Sequence, residues 1–212
     1  MLEDQYFNLL FHRLQLLDGI RPTIIRAADA VIAAVTHGGR LMVYDENGQM
    51  TGESMYRNSG LKLPSQGMSS DGKLLPVTPR DVVIIYCLTP GTEKSLAALD
   101  AARDAGSYTI VVCPGTHDGV VTGGRTLAEH ADIHLDDLSD SGGVILPDGW
   151  DMPIAPTTGI MNDVILWMLH AEIIDRMLAR GMVPGVLRGG HLRGGRPWNH
   201  AVPDSLKAER GW

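Results

Sequence analysis

Two hydroxyl side chains, Thr89 and Thr92, stand in Cys87-Leu88-Thr89-Pro90-Gly91-Thr92, where an apolar run gives way to a helical pattern. Hydroxyl donors beside the free amides of a helix N-terminus make an anion site. The same residues also fit a plain N-cap at Thr92, followed by Glu93 and Lys94 on the surface. Glu53 is a second chemical candidate. A carboxylate at the start of a helix above a sheet can act as a general base that moves a proton between carbons. It can equally be a first-turn acid that suits the helix dipole. Two further loops follow apolar runs. One spans Asp45 to Glu53 and contains Gly48 and Thr51, and the other is Pro114-Gly115-Thr116-His117. The histidines are scattered, and His170 lies inside an apolar helical pattern, where a packed or interfacial role is expected. No Cys and His set has ligand spacing, so the sequence implies neither a metal nor a cofactor.

These loops need a frame. Residues 2–18 carry Phe7, Leu10, Phe11, Leu14 and Leu17 at steps of three and four, which predicts an amphipathic helix. A second helix starts near Pro22, carries Ile24, Ala27, Ala28, Val31 and Val35, and stops at Gly38-Gly39. The period then changes. Leu41 to Tyr44, Val82 to Tyr86 and Thr109 to Cys113 read as buried strands, and Ala131 to Leu135 as a weaker one. A helix over Thr92 to Ala105 joins two of them into a parallel βαβ unit. The longest helix is expected over Thr158 to Arg180, and Gly181 ends it. Residues 46–66 and 64–78 show no regular pattern. The Gly- and Pro-rich stretch from Pro184 to Trp212 reads as an extended arm. Its Arg-Gly-Gly triplets are too few for an RNA-binding tract, so docking on a neighbour is expected. The organisation is one α/β domain over 1–183, with a helical hairpin at 1–37 and an arm at 184–212.

The composition bounds the function. The 212 residues hold 18 basic and 25 acidic side chains, a net charge of −7 that argues against a nucleic-acid partner. No apolar run approaches the roughly 18 residues of a membrane helix. The first residues carry no basic and apolar leader pattern, so no signal peptide is predicted. Cys87 and Cys113 sit in apolar runs, which predicts reduced thiols and a cytoplasmic protein. Aromatic residues make up only 5%, against 25 glycines, so the core must be aliphatic and the backbone must make many tight passages.

In order and spacing, these pieces resemble a sugar isomerase (SIS) domain, in particular the phosphoheptose-isomerase-like branch of small SIS proteins. The resemblance rests on several segments: Gly38-Gly39-Arg40-Leu41-Met42-Val43-Tyr44, Glu53-Ser54-Met55-Tyr56-Arg57 with Gly60-Leu61, the strand and loop over 81–92, and Thr126-Leu127-Ala128-Glu129 through Asp136. Pro156-Thr157-Thr158-Gly159, Arg180-Gly181-Met182-Val183-Pro184 and the closing glycines before Asn199 extend it to the C-terminal third. It implies a three-layer α-β-α sandwich around a mainly parallel, flavodoxin-like sheet, preceded by the helical hairpin. It further implies a sugar or sugar-phosphate ligand held by Thr89 and Thr92, with Gly48, Thr51, Arg57, Thr116 and Asn199 around it. Glu53 would be the base that carries the C1/C2 proton of an aldose–ketose isomerisation. Where the family has a small, amide-rich first loop, this chain has Asp45-Glu46-Asn47-Gly48-Gln49, and carboxylates repel a phosphate. Asn162 and Asp163 stand near where the family's acid would be a histidine. A non-catalytic sugar-phosphate sensor and a structural oligomer subunit are the alternative readings. The apolar hairpin and last helix also predict a homodimer or homotetramer.

Overall fold

The chain alternates strands and helices in the order α1 (Leu2–Leu16), α2 (Arg21–Thr36), β1 (Leu41–Asp45), α3 (Gln49–Tyr56), β2 (Pro64–Gln66), β3 (Val82–Tyr86) and α4 (Glu93–Asp104). It continues through β4 (Tyr108–Cys113), α5 (Leu127–His130), β5 (Ile133–Asp136), β6 (Gly143–Ile145), β7 (Ile154–Pro156) and α6 (Thr158–Ala179). The structure is a computed structural model and describes residues 1–115, 124–140 and 142–201. Strands β2-β1-β3-β4-β5 form one sheet, with every neighbouring pair parallel.

β1 and β3 are buried at every residue, and β4 at all but Tyr108. Continuous apolar strands of this kind belong to a parallel sheet covered on both faces. Alternation then sorts the side chains. Leu41, Val43, Val82, Ile84, Ile110 and Val112 pack with α2 and α6. Met42, Tyr44, Val83, Ile85 and Val111 pack with Leu96, Leu99 and Ala102 of α4 and Leu127 of α5. The result is the expected three-layer α-β-α sandwich, and a single 3-10 turn at Leu17–Ile20 joins α1 to α2 as a helical hairpin. Cys87 and Cys113 are free and buried. Among the described residues, no helix is long and apolar enough to cross a membrane.

Four elements lie in segments without a legible pattern. α3 buries only Met50 and Ser54, so it carries no apolar stripe. β2 is a three-residue edge strand beginning with proline, which an edge tolerates. β6 and β7 form a small antiparallel hairpin apart from the main sheet. The arm folds back on its own chain. Ser59 N–H donates to Leu187 O, Leu187 N–H to Gly60 O and Lys62 N–H to Gly185 O, at 2.9–3.0 Å. Residues 195–201 are helical, and the Arg188 guanidinium lies 3.6 Å over the Trp198 ring.

Two buried titratable groups give stability opposite pH slopes. His170 of α6 is buried, packs edge-on against Trp167 at 5.5 Å, and is pushed down to about 4 by burial. Its unfolded form binds the extra proton, so stability falls as pH drops from about 6.5 to 4. Asp137, fully buried, is raised to about 6 by burial, which outweighs its hydrogen bonds from Ser139. Here the folded form holds the proton longer, so stability falls as pH rises from about 4 to 6. Each contribution is about 3 kcal/mol, and the two largely cancel. Asp137→Asn should therefore make the melting temperature fall on acidification from pH 6.5 to 4.5. His170→Leu should make it rise over the same range. Parallel pH–melting curves for all three proteins test both signs.

Candidate functional site

β1 and β3 end side by side, with Asp45 opposite Tyr86. In a parallel sheet, ligands bind beyond such carboxyl ends, at the helix starts that follow. α3 begins immediately after β1, through Gly48 in the left-handed region at φ +74°. Asp45 is 3% exposed, and its carboxylate turns back onto this helix start. It accepts the amide hydrogens of Asn47 at 3.0 Å, Met50 at 2.6 Å and Thr51 at 3.4 Å. The charge thus complements the positive end of α3 from within the chain.

α4 follows β3 in the same way. Thr92 is its N-cap: the hydroxyl accepts Ser95 N–H at 3.0 Å, and Ser95 Oγ accepts Thr92 N–H at 2.8 Å. The Thr92 hydroxyl also donates to Glu46 Oε2 at 2.7 Å, and Lys94 Nζ lies 3.5 Å from Glu46. Both acids of the first loop are therefore bound to the two helix starts.

A cavity of about 440 Å³ lies between this edge and the first turn of α6. Gln49, Leu88, Thr89, Thr158, Gly159 and Asp163 line it. α3 and α6 approach closely here, and a Cβ added at Gly159 would meet the Gln49 amide at 3.3 Å. Glu53 lies one turn beyond Gln49 on α3, partly buried, and accepts from Arg57 Nε at 2.8 Å. Asp163 is half-buried and its Oδ1 has no hydrogen-bond partner. Burial raises its pKa, the Glu53 charge adds to the rise, and Arg57 opposes it. The hydroxyl of Tyr86 is buried without a partner, and its pKa is raised by burial and then by Asp45 and Asp163.

The residues singled out by sequence fall into three groups. Thr89 lines the cavity, its Oγ1 3.5 Å from Cys87 Sγ, and Glu53 with Arg57 flanks Asp163. Gly48, Thr51 and Thr92 belong to the starts of α3 and α4, with the Thr51 hydroxyl buried and unpartnered. Asn199 lies in the arm, exchanging two 2.8 Å hydrogen bonds with the Arg188 backbone. Thr116 falls outside the described residues. Asp163, noted in the sequence beside Asn162 without a role, joins them. Its position on the long helix was visible in the sequence, but its burial and its nearness to Glu53 arise only when α3 packs on α6. Among the described residues, no group of three or more His, Cys, Asp or Glu side chains is arranged to hold a metal ion.

No protein-family model matches the chain. A UPF0309 protein of Streptomyces griseus is 29% identical over 133 residues, which cover 60% of this chain and 53% of that protein. The match therefore spans about half the length of that relative. A UPF0309 protein of Geobacillus thermodenitrificans is 26% identical, with 96% of this chain and 94% of that protein covered. The solved phosphoheptose isomerase of Neisseria gonorrhoeae superposes with a TM-score of 0.58 at 12% identity, covering 84% of this chain and 100% of that one. The fold is that of a sugar isomerase (SIS) domain. The sugar isomerase domain of an RpiR transcription factor from Sphaerobacter thermophilus also superposes, with a TM-score of 0.53 at 18% identity over 84% of this chain and 93% of that one. In this SIS-like fold the cavity sits at the carboxyl edge of the sheet, Asp163 lines it, and the Glu53 charge acts on Asp163.

Proposed function

We propose that this SIS domain binds a sugar or sugar phosphate in the cavity between α3 and α6 and interconverts its aldose and ketose forms. The observation that carries the reading is the Glu53–Asp163 pair beside the cavity, in which one carboxyl has its pKa raised and the other is ion-paired to Arg57. Two carboxyl groups in unlike environments suit acid and base roles. In this scheme Glu53 takes the proton from C2 of the open-chain aldose while Asp163 protonates the carbonyl oxygen at C1, which gives an enediol. Glu53 returns its proton to C1, and the C2 hydroxyl proton passes to Asp163, which leaves the ketose. Thr89, which also lines the cavity, contacts the sugar. The test is chromatography of a panel of aldoses and ketoses, free and phosphorylated, after incubation with the protein. The reading expects one pair to interconvert.

A second reading, binding without turnover, is favoured by the 2.8 Å Glu53–Arg57 ion pair, which occupies the base. A ligand that raises the melting temperature but is recovered unchanged would support it.

We also propose that the chain self-associates through α1. That helix buries no side chain, and Phe7 and Phe11, 66% and 54% exposed, stack with ring centroids 6.3 Å apart. A contiguous apolar face of this kind marks an association surface. Sedimentation at micromolar concentration should find a dimer or tetramer, and Phe7→Asp with Phe11→Asp should convert it to monomer. A monomeric parent would contradict the proposal.

A further inference from the structure

We propose that the ligand of this cavity is an unphosphorylated, hydroxyl-rich sugar, with Asp45 and Glu46 occupying the positions a phosphate would need. The inference rests on the sugar-binding reading above and narrows its substrate class.

An anion at the carboxyl edge of a parallel sheet is held by free amides and hydroxyls of helix starts. Two such starts follow β1 and β3, and the amides of the first and the Thr92 hydroxyl of the second are already committed. The amides of Asn47, Met50 and Thr51 donate to Asp45, and the Thr92 hydroxyl donates to Glu46 at 2.7 Å. A phosphate would have to displace two carboxylates of the same charge sign, from hydrogen bonds as short as 2.6 Å. The nearby cations do not offset this. Arg57 is engaged by Glu53, and Lys94, largely exposed, leans on Glu46.

The other polar atoms here suit hydroxyl groups. Gln49, Thr89 and Asp163 bring amide, hydroxyl and carboxyl groups to the cavity wall, and Asp163 Oδ1 has no hydrogen-bond partner within the chain. Buried polar atoms are nearly always paired, and a polyol offers both donors and acceptors. A sugar hydroxyl can donate to the Asp163 carboxyl and accept from the Gln49 amide. A phosphate offers no donor to a carboxylate once fully ionised.

The test is titration calorimetry of C5 to C7 aldoses and ketoses, each beside its terminal phosphate ester, with inorganic phosphate as competitor. The free sugar should bind at least tenfold more tightly than its ester, and inorganic phosphate should not compete. Glu46→Gln keeps the side-chain volume and an acceptor for Thr92, and it should narrow the gap between ester and sugar at least fivefold. An ester that binds the parent as tightly as the free sugar, or competition by inorganic phosphate, overturns this inference and leaves the sugar-binding reading standing. If neither sugar nor ester binds, the sugar-binding reading falls and takes this one with it.

Discussion

Glu53→Gln should lower the proposed aldose–ketose interconversion by roughly two to four orders of magnitude, the range expected for loss of a positioned general base. The fold should survive. Glu53 is partly buried on α3, its partner Arg57 is 64% exposed, and a glutamine keeps an acceptor for it. An i,i+4 helix pair with one solvent-exposed partner contributes about 0.5 kcal/mol, so the melting temperature should move by no more than a few degrees. Asp163→Asn should give a smaller loss, about tenfold to a hundredfold, because Asn still offers a hydrogen bond to the carbonyl oxygen but no proton. Steady-state rates with circular dichroism melts on the same preparations check both. A Glu53→Gln protein with parental turnover would remove Glu53 from the reaction.

The largest stability effect should come from Asp81→Ala, far from the cavity. Asp81 precedes β3, is 2% exposed and joins the starts of β1 and β3. It accepts Arg40 N–H at 2.7 Å, Arg40 Nη2 at 2.8 Å, Thr78 N–H at 2.8 Å and the Thr78 hydroxyl at 3.0 Å. Burial alone would raise this carboxyl. The Arg40 guanidinium and these amides overcome it and hold it at about 2. The alanine leaves two backbone donors without an acceptor, at about 1–3 kcal/mol each, so a loss of about 3–4 kcal/mol is expected. For a chain of this size, that lowers the melting temperature by about 10 °C. The pH dependence follows from the sign of the shift. The folded pKa is depressed, so the contribution is complete above about pH 4 and disappears as pH falls toward 2. The parent should lose about 2 kcal/mol over that window, and the alanine variant should lack this component. Urea unfolding at pH 7 and pH 3 separates the two proteins.

The sheet was legible because its strands are buried on both faces. Val82 to Tyr86 and Tyr108 to Cys113 contain almost nothing but apolar residues, and only a covered parallel sheet needs such runs. Thr92 also carried its local role openly, because a threonine before an acidic and amphipathic stretch is how a capped helix begins. For the opposite reason, α3 was legible only as a helix start at Glu53, whereas it begins four residues earlier at Gln49. Gln49 to Tyr56 has no apolar stripe, and the helix is nucleated by a carboxylate four to six residues upstream and by a left-handed glycine. Asp45 and Glu46 were readable as charges near a binding edge, but their targets were not. A loop sequence does not reveal that one acid turns back onto α3 while the other crosses to Thr92, 46 residues away. Asn199 shows the same limit, since its partners are Arg188 backbone atoms in a turn formed by the arm itself.

Exchange of the C2 hydrogen tests the central claim most directly. The protein is incubated in deuterated water with the free aldose or ketose that binds it, and deuterium at C1 and C2 is followed by proton NMR. Proton transfer by a single carboxylate that equilibrates with solvent predicts deuterium at C2 of the aldose and C1 of the ketose, appearing with the interconversion and lost in Glu53→Gln. Saturated binding with no deuterium at either carbon would contradict the account and leave the cavity as a binding site alone.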